Sequence, residues 1–248
     1  MKIPLVIGYK GEIGRYILDG LLSFFPKADN IWCIDVDSSD SEFRNKLHMS
    51  DVVFLCIPLN KTEQWIDKNK SFLRDKIVVE QTSLKTWVPK WKSVLELKYN
   101  CKLVSMHIMF RPSATPDVKD RKIAIICKNQ TVETTLIKNF ITEVFKCKVV
   151  YYSNVIEHDV AMATQQALVH RVILCLDEAM RTEAPSTYVS MKLRELANRI
   201  CKGDVELYES IQSNVHLKAQ IQNFNKKMAG FKIRKYFPGS VVNNAKAK

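Results

Sequence analysis

The chain has 248 residues, 46% of them hydrophobic, and its 38 Lys and Arg against 26 Asp and Glu give a formal net charge of +12. This length and hydrophobic content are typical of a globular protein with a core, and they exclude a wholly disordered chain. No apolar run reaches the roughly 18 residues that cross a bilayer, and the first residues lack signal-peptide architecture, so we expect a cytoplasmic protein without a membrane partner.

The positive charge and the cysteines give no specific site. Lysines are spread along the whole chain, which favours a solvated surface over a nucleic-acid interface. The basic tail, residues 231–248, is the best place for a weak polyanion contact and is predicted to fray. The seven cysteines form no C-x-x-C pair and several lie in hydrophobic runs, so we predict neither disulfides nor a metal site.

Strand and helix patterns alternate over the first 152 residues. The run IPLVIG (3–8) predicts a strand, and helical spacing of apolar residues over 11–25 predicts a helix. The other predicted strands are 31–35, 51–58, 76–83, 102–107, 122–127 and 147–152, and the other helices are 62–73, 87–97 and 132–144. This alternation indicates an α/β fold with a Rossmann-type, doubly wound parallel sheet.

Beyond residue 152 the pattern is almost entirely helical. We therefore predict two domains: a Rossmann-type α/β domain over 1–152 and an all-α domain over 153–248. The segment from Val160 to Leu176 is apolar on most helical faces, so it should be buried inside a bundle or at a subunit interface.

A glycine-rich turn, GYKGEIG, follows the first predicted strand and opens the first helix. Glycines allow a backbone to approach a pyrophosphate, and the helix N-terminus supplies N–H donors, so this context indicates dinucleotide binding. The usual spacing calls for glycine at position 9, where this chain has a tyrosine. The candidate cofactor contacts in the turn are Gly8, Tyr9, Lys10, Gly11, Glu12, Ile13 and Gly14.

Two further residues complete the predicted nucleotide site. Asp35 ends the second strand 21 residues after Gly14, where an acidic side chain accepts hydrogen bonds from a ribose. Its charge would repel a 2′-phosphate, which favours NAD over NADP, although Lys10 and Arg15 lie close in sequence. Pro58 ends the third strand, at the sheet edge where ligands bind. The alternative is a glycine turn with a solvated aspartate and no nucleotide.

Four ordered motifs resemble those of the prephenate and arogenate dehydrogenases of tyrosine biosynthesis. TSLK (82–85) is similar to the family's Ser-Val-Lys segment, and SMHIMFRP (105–112) is similar to its His-Pro-Met-Phe-Gly-Pro. EHDVAMATQQALVH (157–170) resembles the start of its helical dimerisation domain, and NRICKGDVELYESI (198–211) resembles its arginine-containing helix. The resemblance covers most of the chain, from the glycine turn to about residue 215.

This resemblance implies an NAD-dependent oxidation of a cyclohexadienol that bears a ring carboxylate. Hydride would leave the hydroxyl-bearing carbon for the nicotinamide, and the carboxylate would depart as CO₂. His107 would accept the hydroxyl proton as general base, and Ser83 would share a hydrogen bond with that hydroxyl. Lys85 would order this loop or attract the anionic substrate.

The helical part would complete the site. Arg199 would bind a carboxylate in bidentate geometry, and His170 would face the cleft and contact substrate or cofactor. His158 would either fix the domain junction or take part in catalysis. The resemblance also implies a homodimer joined through the helical domain.

The motifs differ from the family pattern near the proposed base. Arg111 stands where the family has glycine, and it would hold a second carboxylate or lower the pKa of His107. Glu80 and Gln81 replace an aspartate that often precedes the serine. The sequence therefore leaves two other functions open: the same fold acting on a different cyclohexadienyl or hydroxy acid, and a non-catalytic NAD-binding or interaction protein. It does not discriminate prephenate from arogenate.

Overall fold

A computed structural model of the chain describes residues 2–25, 31–114, 117–182, 185–203 and 205–231. Seven strands form one sheet in the order β2-β1-β3-β4-β5-β6-β7. They are β1 (Pro4–Ile7), β2 (Trp32–Ile34), β3 (Val52–Leu55), β4 (Ile77–Glu80), β5 (Lys102–Ile108), β6 (Lys122–Ile126) and β7 (Lys148–Tyr152). Helices lie between the strands and cover the sheet, so the predicted Rossmann-type α/β fold is confirmed.

Ten α-helices lie in the described ranges. They are α1 (Glu12–Phe24), α2 (Asp40–Met49), α3 (Leu59–Asn69), α4 (Val88–Tyr99), α5 (Val132–Val144), α6 (Val155–Met162), α7 (Val169–Ala179), α8 (Tyr188–Cys201), α9 (Val205–Gln212) and α10 (Leu217–Ala229). A π-helical segment, Ala163–Leu168, joins α6 to α7. The sequence pattern did not predict α2. This helix buries only Leu47, so it has almost no apolar periodicity to detect.

The sheet departs from a fully parallel arrangement at one pairing. Strands β1 to β5 are mutually parallel, whereas β6 pairs antiparallel with β5 and β7 pairs parallel with β6. The described residues between β5 and β6 form only two short 3-10 turns. A parallel return needs a crossover of about a dozen residues that is usually helical, and the described residues of this connection include no α-helix.

The sheet is buried on both faces. Alternate side chains of β1 point in opposite directions: Val6 belongs to a core cluster with Ile17 of α1 and Ile137 of α5. Its neighbour Leu5 belongs to a second cluster with Leu95 of α4. All five are at most 2% exposed, and each such burial stabilises the fold by roughly 1.5–3 kcal/mol.

The sheet order changes direction beside β1. The chain leaves β1 for β2 on one side and then crosses to β3 on the other. Gly8 follows β1, and Pro58 is the N-cap of α3 directly after β3. Ligands of doubly wound sheets bind at the carboxyl ends of the strands at such a switch point, so the fold places the glycine turn at the expected site.

The described residues after Tyr152 contain helices and no strand. The predicted division at 152/153 coincides with the end of β7, and two separate domains stay a prediction. The side chains of Val160, Val169 and Leu176 are 37%, 42% and 42% exposed. They are therefore not buried within one chain, which leaves the subunit-interface alternative as a proposal. Among the helices in the described ranges, none combines the length and apolar character that a bilayer span requires.

Candidate functional site

The glycine turn is shaped by two glycines whose side-chain positions are filled by backbone. Gly8 has a φ of +80°, and a Cβ there would lie 2.4 Å from the Cys56 carbonyl oxygen. A Cβ on Gly14 would lie 2.0 Å from the Gly8 carbonyl oxygen. Gly11 is different, because a Cβ there would lie 3.4 Å from its nearest neighbour, the Gly8 carbonyl oxygen, which is an ordinary contact. Gly11 is also the N-cap of α1, and no side chain caps this helix end. The first N–H groups of α1 therefore have no side-chain cap, and uncapped N–H groups at a helix N-terminus are the donors that hold a pyrophosphate in dinucleotide-binding folds.

Asp35 lies against this turn. Its carboxylate accepts hydrogen bonds from the backbone N–H of Lys10 at 2.9 Å and of Val36 at 2.8 Å. The ammonium of Lys10 pairs with Asp37, and the hydrogen bond with Asp37 raises the pKa of Lys10. A carboxylate can accept about four hydrogen bonds, so Asp35 retains capacity for the ribose contact that the sequence predicts.

Glu12 connects the turn to the segment after β5. Its carboxylate accepts a hydrogen bond from Arg111 Nε at 3.0 Å and from the Ser113 backbone N–H at 2.7 Å. Arg111 also donates to the Arg199 carbonyl oxygen at 3.4 Å. The guanidinium of Arg111 therefore joins the glycine turn, the β5 exit and α8. Tyr9 and Ile13 of the same turn pack against the core cluster around Val6.

A buried polar group lies at the carboxyl end of β4. Glu80 and Lys85 are both fully buried, and Lys85 Nζ donates to Glu80 Oε1 at 2.5 Å and to the Met106 carbonyl oxygen at 2.7 Å. Thr82 donates its hydroxyl proton to Glu80 Oε2 at 2.6 Å, and Ser105 donates to Glu80 Oε1. Burial lowers the pKa of Lys85, with Glu80 and Asp159 opposing that effect.

This geometry corrects one expectation for Lys85. Its ammonium is fully enclosed and bound by Glu80 and Met106, so it does not reach an open cleft. The sequence could not show that Lys85 is enclosed, because its partners Glu80 and Met106 lie on two neighbouring strands. Of the two roles predicted for Lys85, ordering the loop fits its contacts, whereas direct substrate binding does not.

His107 is close to the end of β5 and 5% exposed. Its Nδ1 lies 3.2 Å from Nε2 of His158. Burial lowers the pKa of His107 well below 6.5, and the positive charge of Lys85 lowers it further. Such an imidazole is neutral at working pH, which is the form a general base requires. The charge of Arg111, which the sequence suggested as a cause, does not contribute to the lowered pKa of His107.

His158 and Asp159 begin the helical region. His158 Nδ1 lies 2.8 Å from Asp159 Oδ1, and both carboxylate oxygens of Asp159 lie 3.1 Å from the backbone N of Lys85. The side chain of Asn214 donates to the Asp159 carbonyl oxygen at 2.8 Å. Sequence reasoning missed Asp159 and Asn214, although Asp159 stands beside His158 in the motif EHDVAMATQQALVH.

Ser83 is placed by the sheet register. Strands β4 and β5 are parallel neighbours with Glu80 opposite Ser105, so Ser83, which follows β4, and His107, near the end of β5, lie toward the same edge. The Ser83 side chain is 7% exposed. The sheet thus brings the two predicted catalytic residues to one edge.

The helical region contributes His170 and Arg199. The His170 ring stacks on Tyr208 with centroids 6.5 Å apart, its Nδ1 is buried without a hydrogen-bond partner in the described structure, and burial lowers its pKa. Arg199 is exposed on α8, and no described acidic side chain forms an ion pair with it. Its carbonyl oxygen binds Arg111, so the two arginines are adjacent.

The chain has the fold of prephenate dehydrogenases. The prephenate dehydrogenase of Aquifex aeolicus, solved with hydroxyphenyl propionate and NAD⁺, superposes with a TM-score of 0.74 over 96% of this chain and 93% of that chain, at 19% identity. Synechocystis arogenate dehydrogenase superposes with a TM-score of 0.60 over 93% and 90%, at 17% identity. The family resemblance seen in the motifs is thereby confirmed at the level of the fold.

A reductase shares the fold more distantly. The NADP-bound pyrroline carboxylate reductase of Plasmodium falciparum has a TM-score of 0.52 over 92% of this chain and 91% of that chain, at 13% identity. No protein-family model and no curated protein sequence matches the chain. In the described part of the chain, no cluster of three His, Cys, Asp or Glu side chains could hold a metal ion.

Proposed function

We propose that this protein is an NAD-dependent dehydrogenase that oxidises prephenate or arogenate with loss of CO₂. The observation that carries the proposal is the position of His107: a buried imidazole near the end of β5, at the same sheet edge as the glycine turn after β1. The shared fold with a prephenate dehydrogenase solved with NAD⁺ supports this assignment.

The cofactor would lie on the turn. Gly8 and Gly14 bring the backbone together, the open helix end at Gly11 would bind the pyrophosphate, and Asp35 would accept from the adenosine ribose. Pro58 would line the opposite side of the cleft, after β3. A bound nicotinamide would supply the hydride acceptor for the reaction.

The residues of the chain would handle the substrate. His107 would take the hydroxyl proton as the C–H bond breaks, and Ser83, on the neighbouring strand exit, would orient that hydroxyl. Arg199 would bind a carboxylate of the substrate, because its fork of donors suits bidentate contact. His170, with its unpartnered buried nitrogen, would contact the substrate from the helical side.

Arg111 would act differently from the sequence expectation. Its guanidinium is held by Glu12 and by the carbonyl oxygen of Arg199, so we assign it to joining the cofactor turn to the substrate-binding helix. It retains donor capacity for a substrate carboxylate, since a guanidinium has five N–H donors.

We also propose that two copies associate through the helical region, in the cytoplasm. Exposed apolar side chains on α8 and its neighbours include Tyr188, Val189 and Met191, which are 70%, 72% and 47% exposed. Light scattering coupled to size exclusion tests this: a dimer supports it, and a monomer at micromolar concentration contradicts it.

The deciding experiment is NADH or NADPH formation by purified protein with each of prephenate and arogenate. Turnover with one combination of cofactor and substrate would establish the reaction, the preferred cofactor and the preference for prephenate or arogenate together. Nucleotide binding without turnover would favour a different hydroxy acid, for which the replacement of the family glycine by Arg111 gives a specific reason. Absence of any nucleotide binding would favour an interaction protein.

A further inference from the structure

Three buried side chains form a continuous hydrogen-bonded chain from the helical region to the proposed base. Asp159 contacts His158 Nδ1 at 2.8 Å, and His158 Nε2 contacts His107 Nδ1 at 3.2 Å. The exposed fractions are 1% for Asp159, 0% for His158 and 5% for His107. Of these three side chains, only His107 has a role in the proposed reaction.

The chemistry of the contacts decides where each proton lies. A carboxylate only accepts hydrogen bonds, so Nδ1 of His158 carries a proton. A singly protonated His158 then has a lone pair on Nε2, whereas a doubly protonated ring would donate from both nitrogens. That lone pair needs a donor on His107 Nδ1. The remaining nitrogen of His107, Nε2, is therefore left unprotonated.

We propose that His158 and Asp159 are positioning residues that hold the proton of His107 on Nδ1 and reserve Nε2 as the atom that takes the substrate proton. The inference rests on the proposed function for the identity of that substrate. The hydroxyl O–H bond would break as the Nε2–H bond forms, and bound NAD⁺ would supply the hydride acceptor. His107 becomes an imidazolium whose Nδ1–H remains bonded to His158, and His158 in turn remains bonded to the Asp159 carboxylate.

The position of Asp159 is itself fixed from two sides. Its carboxylate accepts from the backbone N–H of Lys85, and its carbonyl oxygen accepts from Asn214. The loop after β4, helix α6 and the segment between α9 and α10 are thereby tied together. A chain of this kind orients an imidazole in the same way as the aspartate of a serine-protease triad.

The Asp159→Asn variant tests the proton positions. Because the backbone N of Lys85 lies 3.1 Å from both carboxylate oxygens, an asparagine oxygen in the Oδ2 position still accepts from Lys85. The NH₂ group then occupies the Oδ1 position and forces His158 Nδ1 to accept. His158 would then donate from Nε2, and His107 would carry its proton on the wrong nitrogen. We expect kcat to fall by at least about 100-fold with nearly unchanged NAD affinity; the analogous triad substitution lowers kcat by about 10⁴.

Imidazole nitrogen NMR of isotope-labelled histidine reads the same property without any substrate. The chain has only five histidines, so His107→Gln identifies the His107 signals, and His48→Gln, on the remote helix α2, is the matched control. We expect His107 to be protonated on Nδ1 in the wild type and on Nε2 in Asp159→Asn. A wild-type His107 protonated on Nε2 would overturn the inference, whatever the activity.

The two readouts separate this inference from the proposed function. If the NMR signals reverse as expected but neither prephenate nor arogenate is turned over, the positioning stands and the substrate assignment fails.

Two further variants test the role of His158. His158→Gln supplies an amide oxygen that accepts from His107 Nδ1, whereas His158→Leu supplies no acceptor. We expect kcat to be at least about tenfold higher with Gln than with Leu, a difference of about 1.4 kcal/mol. Equal values would contradict the positioning role.

Discussion

Glu12, in the turn after the first strand, accepts a hydrogen bond from Arg111, which follows the fifth strand at a separation of 99 residues. Glu12 also accepts from the Ser113 backbone N–H, so one side chain fastens the β5 exit to the proposed cofactor turn. Hydrogen bonds from Ser113 and Arg111 outweigh the effect of burial and lower the pKa of Glu12. The glutamate is therefore ionised at neutral pH.

Replacement of Glu12 by alanine should loosen this connection. Because the pair with Arg111 is partly exposed, we expect a loss of no more than about 1 kcal/mol in the free energy of unfolding. NAD affinity should fall several-fold, since the turn loses its contact with the β5 exit. Equilibrium unfolding and a fluorescence titration with NAD measure the two effects. Glu12→Gln, which keeps an acceptor for Ser113, should lie between alanine and wild type.

His107 should be essential for turnover but not for cofactor binding. We expect His107→Asn to reduce kcat by about 100-fold or more, in the range typical of a lost general base, with NAD affinity nearly intact. The lowered pKa of His107 keeps the base unprotonated as pH falls through 6.5, so the acidic limb of the kcat profile should lie below that pH. A parallel loss of NAD binding in His107→Asn would show that the residue shapes the nucleotide site instead.

The glycine turn offers a matched comparison between Gly11 and Gly14. An alanine Cβ at Gly14 would meet the Gly8 carbonyl oxygen at 2.0 Å, whereas one at Gly11 would meet it at 3.4 Å. We expect Gly14→Ala to lower the melting temperature or abolish folding. Gly11→Ala should leave the melting temperature nearly unchanged but weaken NAD binding about tenfold or more, because the methyl group would enter the pyrophosphate position. Unaltered NAD affinity in Gly11→Ala would exclude that position as the nucleotide site.

Local and long-range features differed in how well the sequence predicted them. The glycine turn and the strands around it follow from patterns within about 20 residues. Helix α2 was not predicted from such a pattern, because it buries only Leu47. The antiparallel pairing of β6 with β5 was not predicted either, because it depends on how the chain connects the two strands. The motifs predicted candidate site residues but not the side chains that hold those residues in place. Asp159 binds the backbone of Lys85 across 74 residues, and no spacing rule reports such a contact.

The buried pair of Glu80 and Lys85 should dominate the stability of the site. Removal of one charge leaves the other uncompensated in the interior, which costs about 3–5 kcal/mol. We expect Lys85→Met and Glu80→Gln each to lower the free energy of unfolding by roughly that amount, and the double variant to lose less than the sum of the two. Urea denaturation of the four proteins gives the coupling energy. Additive losses would indicate that the two side chains act independently.

Cofactor preference should depend on the charge of Asp35. Its carboxylate is held against the glycine turn by the backbone N–H groups of Lys10 and Val36, where it would meet the ribose hydroxyls and repel a 2′-phosphate. Asp35→Asn removes the charge and keeps one oxygen, which can accept from Lys10 or from Val36 but not from both, because the two N–H groups bind different oxygens of the carboxylate. Two charges about 4 Å apart interact by roughly 1 kcal/mol in water and more near a protein surface, so the ratio of kcat/KM for NAD over NADP should fall about tenfold. The comparison is kcat/KM for both cofactors in wild type and variant, with Asp37→Asn as the control for the neighbouring carboxylate that pairs with Lys10. An unchanged ratio in Asp35→Asn together with a changed ratio in Asp37→Asn would assign the discrimination to Asp37, because release of the Lys10 ammonium would then supply the partner for a 2′-phosphate.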